Sequence, residues 1–206
     1  MGPLTLHEDP VSGNCYKIRL TAALVGLPIE RRKYDILKGE SRTPEFLATV
    51  NSNGRVPVLQ VGDRMLPESN AACWFLAHGS PLVPADRFAQ ADVLRWMCFE
   101  QYSHEPNIAT LRFWLRFVGR TNLTEFQEAQ CEAKWLNGKA ALSLMDDHLR
   151  AADWFVGDAV TLADVALFAY THVCEEGGAF HLADYPAIQR WIARIEALDR
   201  FVPMKD

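Results

Sequence analysis

At 206 residues, 49% hydrophobic and 23% charged, the chain has ordinary globular composition and enough length for one large domain or two small ones. A net charge of −5 argues against nucleic acid or an anionic membrane as its main partner. No apolar run reaches the roughly 18 residues that span a bilayer, and the opening MGPLTLHEDP has neither the basic start nor the apolar core of a secretion signal.

The five cysteines (Cys15, Cys73, Cys98, Cys131, Cys174) are odd in number, scattered, and form no C-x-x-C pair. That pattern speaks against a zinc site and against a secreted disulfide scaffold, and favours a reducing, cytoplasmic setting. No metal triad is evident elsewhere in the sequence, so no bound metal is expected.

The first 80 residues are densely punctuated. Residues 4–6 predict a short strand, 12–24 a helix and 32–36 a second strand. Thr43-Pro44 has the polar cap and first-turn proline of a helix start. A turn at 51–54 leads into an apolar strand at 56–61, a tight Gly62-Asp63 hairpin and a return strand at 64–66. Ser69 then opens another helix. The order β-α-β-α-β-β-α is that of a small α/β domain with a mixed sheet. Pro57 would break the ladder as an ordinary trans residue, and a cis peptide after Val56 accounts for it better.

Beyond the linker at 79–86, strand signals fade. Residues 87–118 are long, rich in Trp and Phe, and interrupted by Pro106. Residues 124–152 carry good helix formers almost throughout. Thr161-Leu162-Ala163-Asp164 has the spacing of a capping box, and the helix after it is apolar on nearly every face, as in the centre of a bundle. Residues 186–197 close the set. The division is 1–78, a linker at 79–86, and 87–206.

An α/β half with a suspected cis proline, followed by an all-helical half, resembles the soluble glutathione transferases. The resemblance is carried by SGNCYKIRL, by NSNGRVPVL followed by LPESNA, and by FVGDAVTLADVALF, in this order and spacing along essentially the whole chain. It implies a thioredoxin-like domain that binds glutathione, an all-α domain that supplies the electrophile site, and a homodimer.

Such a protein has a definite chemical task. A thiol with a pKa of about 8.5 is only roughly 3% ionised at pH 7, and only the thiolate attacks. Lowering that pKa by two units corresponds to about 2.7 kcal/mol of preference for the anion. A hydroxyl donor and unpaired amides at a helix start can supply it. Ser12, Asn14 and Cys15 stand at such a start, and Ser12-Gly13-Asn14-Cys15 reads as a C-x-x-C whose first cysteine has become serine.

Within the family a serine matching Ser12 serves theta- and zeta-like members. Nu-like members carry a threonine matching Ser12 and an asparagine matching Asn14, and beta-like members a cysteine matching Cys15. Ser12 is the favoured donor, with Asn14 assisting and Cys15 as a neighbour. A plain cap for Ser12 and a spectator thiol for Cys15 are the alternatives. The zeta-like S-S-C-x-W-R pattern is not met, because Gly13 and Asn14 replace its second serine and its cysteine.

Ser69, at a helix start, can receive a carboxylate, and Glu68 beside it can pair with an ammonium group. The γ-glutamyl end of glutathione presents both on one carbon. By resemblance, the Val56 backbone pairs with the cysteinyl backbone, and Arg55 lies beside it. A cation from the Lys38 to Arg42 loop meets the glycine carboxylate, a solvated loop charge being the alternative for either residue. The first long helix of the second half lines the electrophile pocket in this family, and Tyr102, Glu105, Ile108 and Arg112 have the spacing to share one face of it. Trp74, Phe75 and residues 96–99 offer apolar surface for dimer formation. Thr161 and Asp164 read as stabilising, His7 and His78 as structural or exposed. A disulfide reductase, a dehalogenase or an isomerase on the same scaffold, or a non-catalytic interaction protein, are the alternatives to a transferase.

Overall fold

In the computed structural model, which describes residues 2–205, the first unit is organised around β1 (Leu4–Glu8). β1 pairs in parallel with β2 (Glu30–Lys33) and antiparallel with β3 (Val58–Val61), which pairs antiparallel with β4 (Arg64–Pro67), giving the order β2-β1-β3-β4. A parallel neighbour needs a crossover, and α1 (Gly13–Leu24) provides it. The antiparallel β3–β4 pair needs only the Gly62-Asp63 turn, with Gly62 at φ 59°. α1 packs against α3 (Ser69–Ala77). Leu6 faces Leu59 across the ladder, and both are buried with Ile18, Leu20 and Leu76. Each such side chain contributes about 1.5–3 kcal/mol relative to exposure. This is the thioredoxin-like domain that the sequence predicts.

Two boundaries differ from expectation. β2 ends at Lys33 and does not reach residue 36. The Tyr34 amide closes onto the Glu8 carbonyl (2.8 Å), and the Asp35 side chain accepts from Leu37 and Lys38 to cap a 3₁₀ turn, Ile36–Lys38. The Val56–Pro57 peptide is cis, and the ladder begins after it, at Val58. The short α2 (Pro44–Thr49) starts as read, with Thr43 accepting from the Phe46 amide at 3.2 Å.

The first unit runs to Val83 and also takes in the tail from Leu198, which the sequence division had left with the helices. Residues on α1 explain the tail. The Tyr16 hydroxyl donates to the Val202 carbonyl (2.7 Å), and Arg19 donates to the Met204 carbonyl (2.9 Å). Arg19 also pairs with the buried Glu8 carboxylate (3.1 Å), which Arg31 contacts at 2.5 Å.

The second unit, Pro84–Ala197, is helical. α4 (Arg87–Phe99) continues through a π-helical segment, Glu100–His104, into α5 (Glu105–Arg112) and a second π-helical segment, Phe113–Val118. Pro106 therefore does not break the run. It sits in the first turn of α5, just after the wider π turn, where the absent N–H is least costly. α6 (Glu125–Ala151) starts with a capping box between Thr124 and Gln127. α7 (Leu162–Thr171) is buried at all ten positions, and α8 (Pro186–Glu196) packs on α6.

Residues 96–99 do not offer the expected outer surface as a block. Trp96 and Met97 lie in the core of this unit, with Trp96 edge-on to Phe155 at 4.6 Å. The exposed large apolar side chains of this unit are Phe88, Leu94 and Tyr102 along α4 and its continuation, and Phe126, Trp135, Leu136 and Leu144 on α6.

Candidate functional site

The antiparallel pairing places three chain segments at one end of the sheet. β1 leaves toward α1 where His7 faces Val58, and β4 leaves toward α3 where Pro67 faces the same Val58. The approach to Ser12, the cis peptide at Val56 and the Glu68-Ser69 pair thus share this end of the first unit.

Ser12 caps α1. It is half-buried, with extended backbone (φ −79°, ψ 124°), and its Oγ accepts from the Cys15 amide at 3.4 Å, a long bond for a cap. The cap uses only a lone pair of the hydroxyl, so its proton, which can face the Cys15 sulfur, can also turn toward another acceptor.

Asn14 is half-buried in the first turn. Its Oδ1 accepts from the Ser69 hydroxyl at 3.4 Å, so the structure joins these two predicted residues directly.

Cys15 is different. Its side chain is 0% exposed and its Sγ accepts from the Asp9 amide at 3.4 Å. Burial pushes the thiol up to about 12, while the Ser12 and Asp9 hydrogen bonds only partly oppose it. A thiol so buried and so raised has the environment of a core side chain, which favours the spectator reading of Cys15 over the catalytic one.

At α3, Ser69 is buried at the first helical position. Glu68 before it is exposed and has φ 73° and ψ 114°, the one positive-φ residue among the described residues that is not glycine. Such a conformation costs on the order of 1–3 kcal/mol outside glycine and gathers at ligand-binding sites. Sequence inspection had singled out Glu68 for its charge and gave no sign of its backbone.

Lys17 was missed altogether. It is 0% exposed, and its Nζ donates to Ser69 Oγ (3.5 Å) and Asn70 Oδ1 (3.4 Å), linking α1 to the start of α3. The available signal was only a lysine within CYKIRLTAAL, a helix with no acidic residue in its first turn.

The remaining first-unit candidates sit in loops. Arg55 is exposed, its carbonyl accepting from the Asn51 side chain at 2.9 Å. That turn is pinned where the Ser41 hydroxyl donates to the Gly54 carbonyl (3.1 Å). Gly54 has φ +64°, and a Cβ there would meet the Ser41 carbonyl oxygen at 3.2 Å, so any side chain would be strained and crowded. Val56 is half-buried, ahead of the ladder. Lys38 is exposed and pairs with Asp35 (3.0 Å), a hydrogen bond that holds the Asp35 carboxyl below its usual range. His7 is buried between Tyr34 (2.8 Å) and Gln60 (3.0 Å), a structural histidine as read.

In the second unit, the four predicted pocket residues do not form one face. Tyr102 is 88% exposed, Ile108 is fully buried, and Arg112 is committed to an ion pair with Glu176 at 2.6 Å. Glu105 is half-buried at the start of α5. The π segment Glu100–His104 shifts the angular register on which the three-and-four spacing relied. A cleft of about 620 Å³ in this unit is lined by Leu111, Leu115, Cys131, Trp135 and the 177–179 loop, and by none of those four. Among the described residues no group of three or more His, Cys, Asp or Glu could hold a metal ion, and no helix is long and apolar enough to cross a membrane.

Comparison with known proteins agrees with this architecture. Residues 11–78 match the family model "Glutathione S-transferase, N-terminal domain", and residues 105–199 match "Glutathione S-transferase, C-terminal domain". The crystal structure of a glutathione S-transferase from Pseudomonas fluorescens is 43% identical, with a TM-score of 0.91 over 98% of this chain and 99% of that one. A second family member from the same species, solved with two glutathione bound, is 25% identical with a TM-score of 0.82 over 96% and 90%. Glutathione S-transferase 3 of Zea mays is 32% identical over 80% of this chain and 75% of its own length. An elongation factor 1-gamma of Prunus avium also matches, at 27% identity over 91% of this chain but only 44% of its own length. Two matching domain models in the expected order, on the fold just described, make this chain a member of the glutathione S-transferase family.

Proposed function

We propose that the protein is a glutathione transferase that binds glutathione at the α1/α3 end of its first unit and ionises the thiol for attack on small hydrophobic electrophiles. The observation that carries this reading is the Asn14–Ser69 hydrogen bond, which ties the helix start that carries Ser12 to the Glu68-Ser69 start of α3. The γ-glutamyl carboxylate goes to Ser69 and the first amides of α3, where the helix dipole favours an anion. The γ-glutamyl ammonium goes to Glu68, and the strain at φ 73° is what aims that carboxylate out of the turn. The Val56 backbone pairs with the cysteinyl unit. Arg55 and Lys38 are the cations offered to the glycine end, Lys38 exchanging Asp35 for the ligand. Ser12 donates its proton to the thiolate, because its hydroxyl is accessible and the neighbouring Cys15 thiol is not.

The relative solved with glutathione supports this ligand, the five free cysteines suit a reducing, cytoplasmic setting, and conjugation of hydrophobic electrophiles would be a detoxification role. The protein acts as a homodimer, with Phe88, Leu94 and Tyr102 as apolar surface for the second copy. Light scattering at micromolar concentration then reports twice the chain mass, and a monomer mass removes this part of the reading.

Calorimetry tests the binding set. Glu68→Ala and Ser69→Ala each weaken glutathione by about 1.5–3 kcal/mol, the range for a lost charged hydrogen bond. Wild-type affinity in both variants rejects the site. The elongation-factor relative motivates a second reading, a non-catalytic interaction protein. Retention on immobilised glutathione without turnover of any electrophile or mixed disulfide would favour that reading.

A further inference from the structure

Beneath the proposed carboxylate site lies a charged residue to which the reading above gives no part. Lys17 sits one turn into α1, fully buried, with Nζ 3.5 Å from Ser69 Oγ and 3.4 Å from Asn70 Oδ1. Taking an ammonium out of water costs several kcal/mol, so its placement against the first turn of α3 needs a return.

The hydrogen bonding gives a specific one. An ammonium only donates, so Ser69 Oγ is the acceptor in that contact, and its single proton must point elsewhere. It points to Asn14 Oδ1, 3.4 Å away. Lys17 thereby fixes Ser69 as an outward donor, while the same cation orients the Asn70 side chain oxygen inward. All three distances are at the long end of hydrogen bonding, as expected of a site that tightens on its ligand.

We infer that Lys17 is a positioning residue of the glutathione site: it holds the Ser69 hydroxyl as a donor to the γ-glutamyl carboxylate and sets a fixed positive charge behind that bond. The inference rests on the proposed glutathione reading. It adds a coupling to it. When the carboxylate accepts the Ser69 hydrogen bond in place of Asn14 Oδ1, that bond to Asn14 is given up, so filling the glutamyl end changes the hydrogen bonding of the segment that carries Ser12. No covalent step is involved.

The test uses two ligands, S-methylglutathione and its analogue lacking the glutamyl α-carboxylate, titrated calorimetrically into wild type, Lys17→Met, Lys17→Gln, Lys17→Arg and Ser69→Ala. Wild type prefers the carboxylated ligand. In Lys17→Met and Lys17→Gln that ligand weakens by about tenfold or more, as for loss of a charge-assisted contact, while the analogue changes by less than about twofold, so the preference collapses. Lys17→Arg, which keeps the charge, retains most of the preference.

Equal weakening of both ligands means a merely structural lysine and overturns the inference, as does a preference unchanged in the neutral variants. Should neither neutral variant fold, Lys17→Arg decides, since a folded arginine variant without the preference also overturns it. If Ser69→Ala loses the preference and the lysine variants keep it, only this inference fails. If wild type binds neither ligand, the glutathione reading itself fails.

Discussion

At the start of α7, Thr161 and Asp164 satisfy one another. The Asp164 carboxylate accepts from the Thr161 amide (2.9 Å), the Thr161 hydroxyl (3.1 Å), the Phe155 amide (3.1 Å) and Trp191 Nε1 (3.0 Å), all within the core. At the starts of α1 and α3 the same residue types are arranged loosely. Ser12 caps at 3.4 Å, Ser69 reaches Asn14 at 3.4 Å, and Glu68 is held at φ 73° with no side-chain cap bond. Both regions read in sequence as polar residues opening a helix. One is closed on itself and has no hydrogen-bonding capacity to offer. The other keeps long bonds, strain and half-exposed groups, which is the condition of a site completed by its ligand.

That contrast can be broken first where it is strongest. Asp164→Ala strands the Trp191 and Phe155 donors in the core, and each unsatisfied buried group costs about 1–3 kcal/mol. The variant should lose on the order of 3 kcal/mol or more in urea unfolding, and Thr161→Ala about 1 kcal/mol as a lost cap. Unchanged midpoints in both variants would remove the structural half of the comparison.

Glu68→Gly acts in the opposite sense. Glycine adopts φ 73° freely, so relief of strain, less the entropy of an added glycine, should raise stability by about 1 kcal/mol. Glutathione affinity should fall in the same variant. Loss of stability there would show that the turn is not strained.

The smallest effect concerns pH. Cys15 in the first unit and Cys174 in the second are both pushed up to about 12, chiefly by burial, from an ordinary value of 9.0. Folded thiols raised above their unfolded value give stability that is fully present below pH 9 and is lost as pH rises toward 12. Thermal midpoints should therefore fall over that alkaline range, and fall less in Cys15→Ala. Identical pH dependence in the variant would mean that Cys15 is not buried as described.

Much of this was legible in the sequence, for reasons that can be named. The order of elements, the cis bond at Pro57, the Gly62-Asp63 hairpin and the Thr161/Asp164 box each rest on short-range chemistry, so few residues suffice to announce them. That Ser12, Asn14, Glu68 and Ser69 stand at helix starts was legible because such starts advertise their caps. Lys17 and the strain at Glu68 were not, because a lysine's burial and a residue's φ depend on packing between α1 and α3. The unequal exposure of the four residues from Tyr102 to Arg112 was not legible for a related reason. Periodicity assumes an unbroken α-helix, and the π turn at Glu100–His104 is a departure no spacing rule contains.

The central claim is that Ser12, and not Cys15, stabilises the glutathione thiolate. Its most direct measurement is the ultraviolet thiolate absorbance of bound glutathione against pH in wild type, Ser12→Ala and Cys15→Ala. The account predicts a thiol pKa raised by about one to two units in Ser12→Ala, equivalent to about 1.4–2.7 kcal/mol of lost anion stabilisation, and a nearly unchanged titration in Cys15→Ala. A Ser12→Ala curve that overlays wild type, with the shift appearing instead in Cys15→Ala, would contradict it.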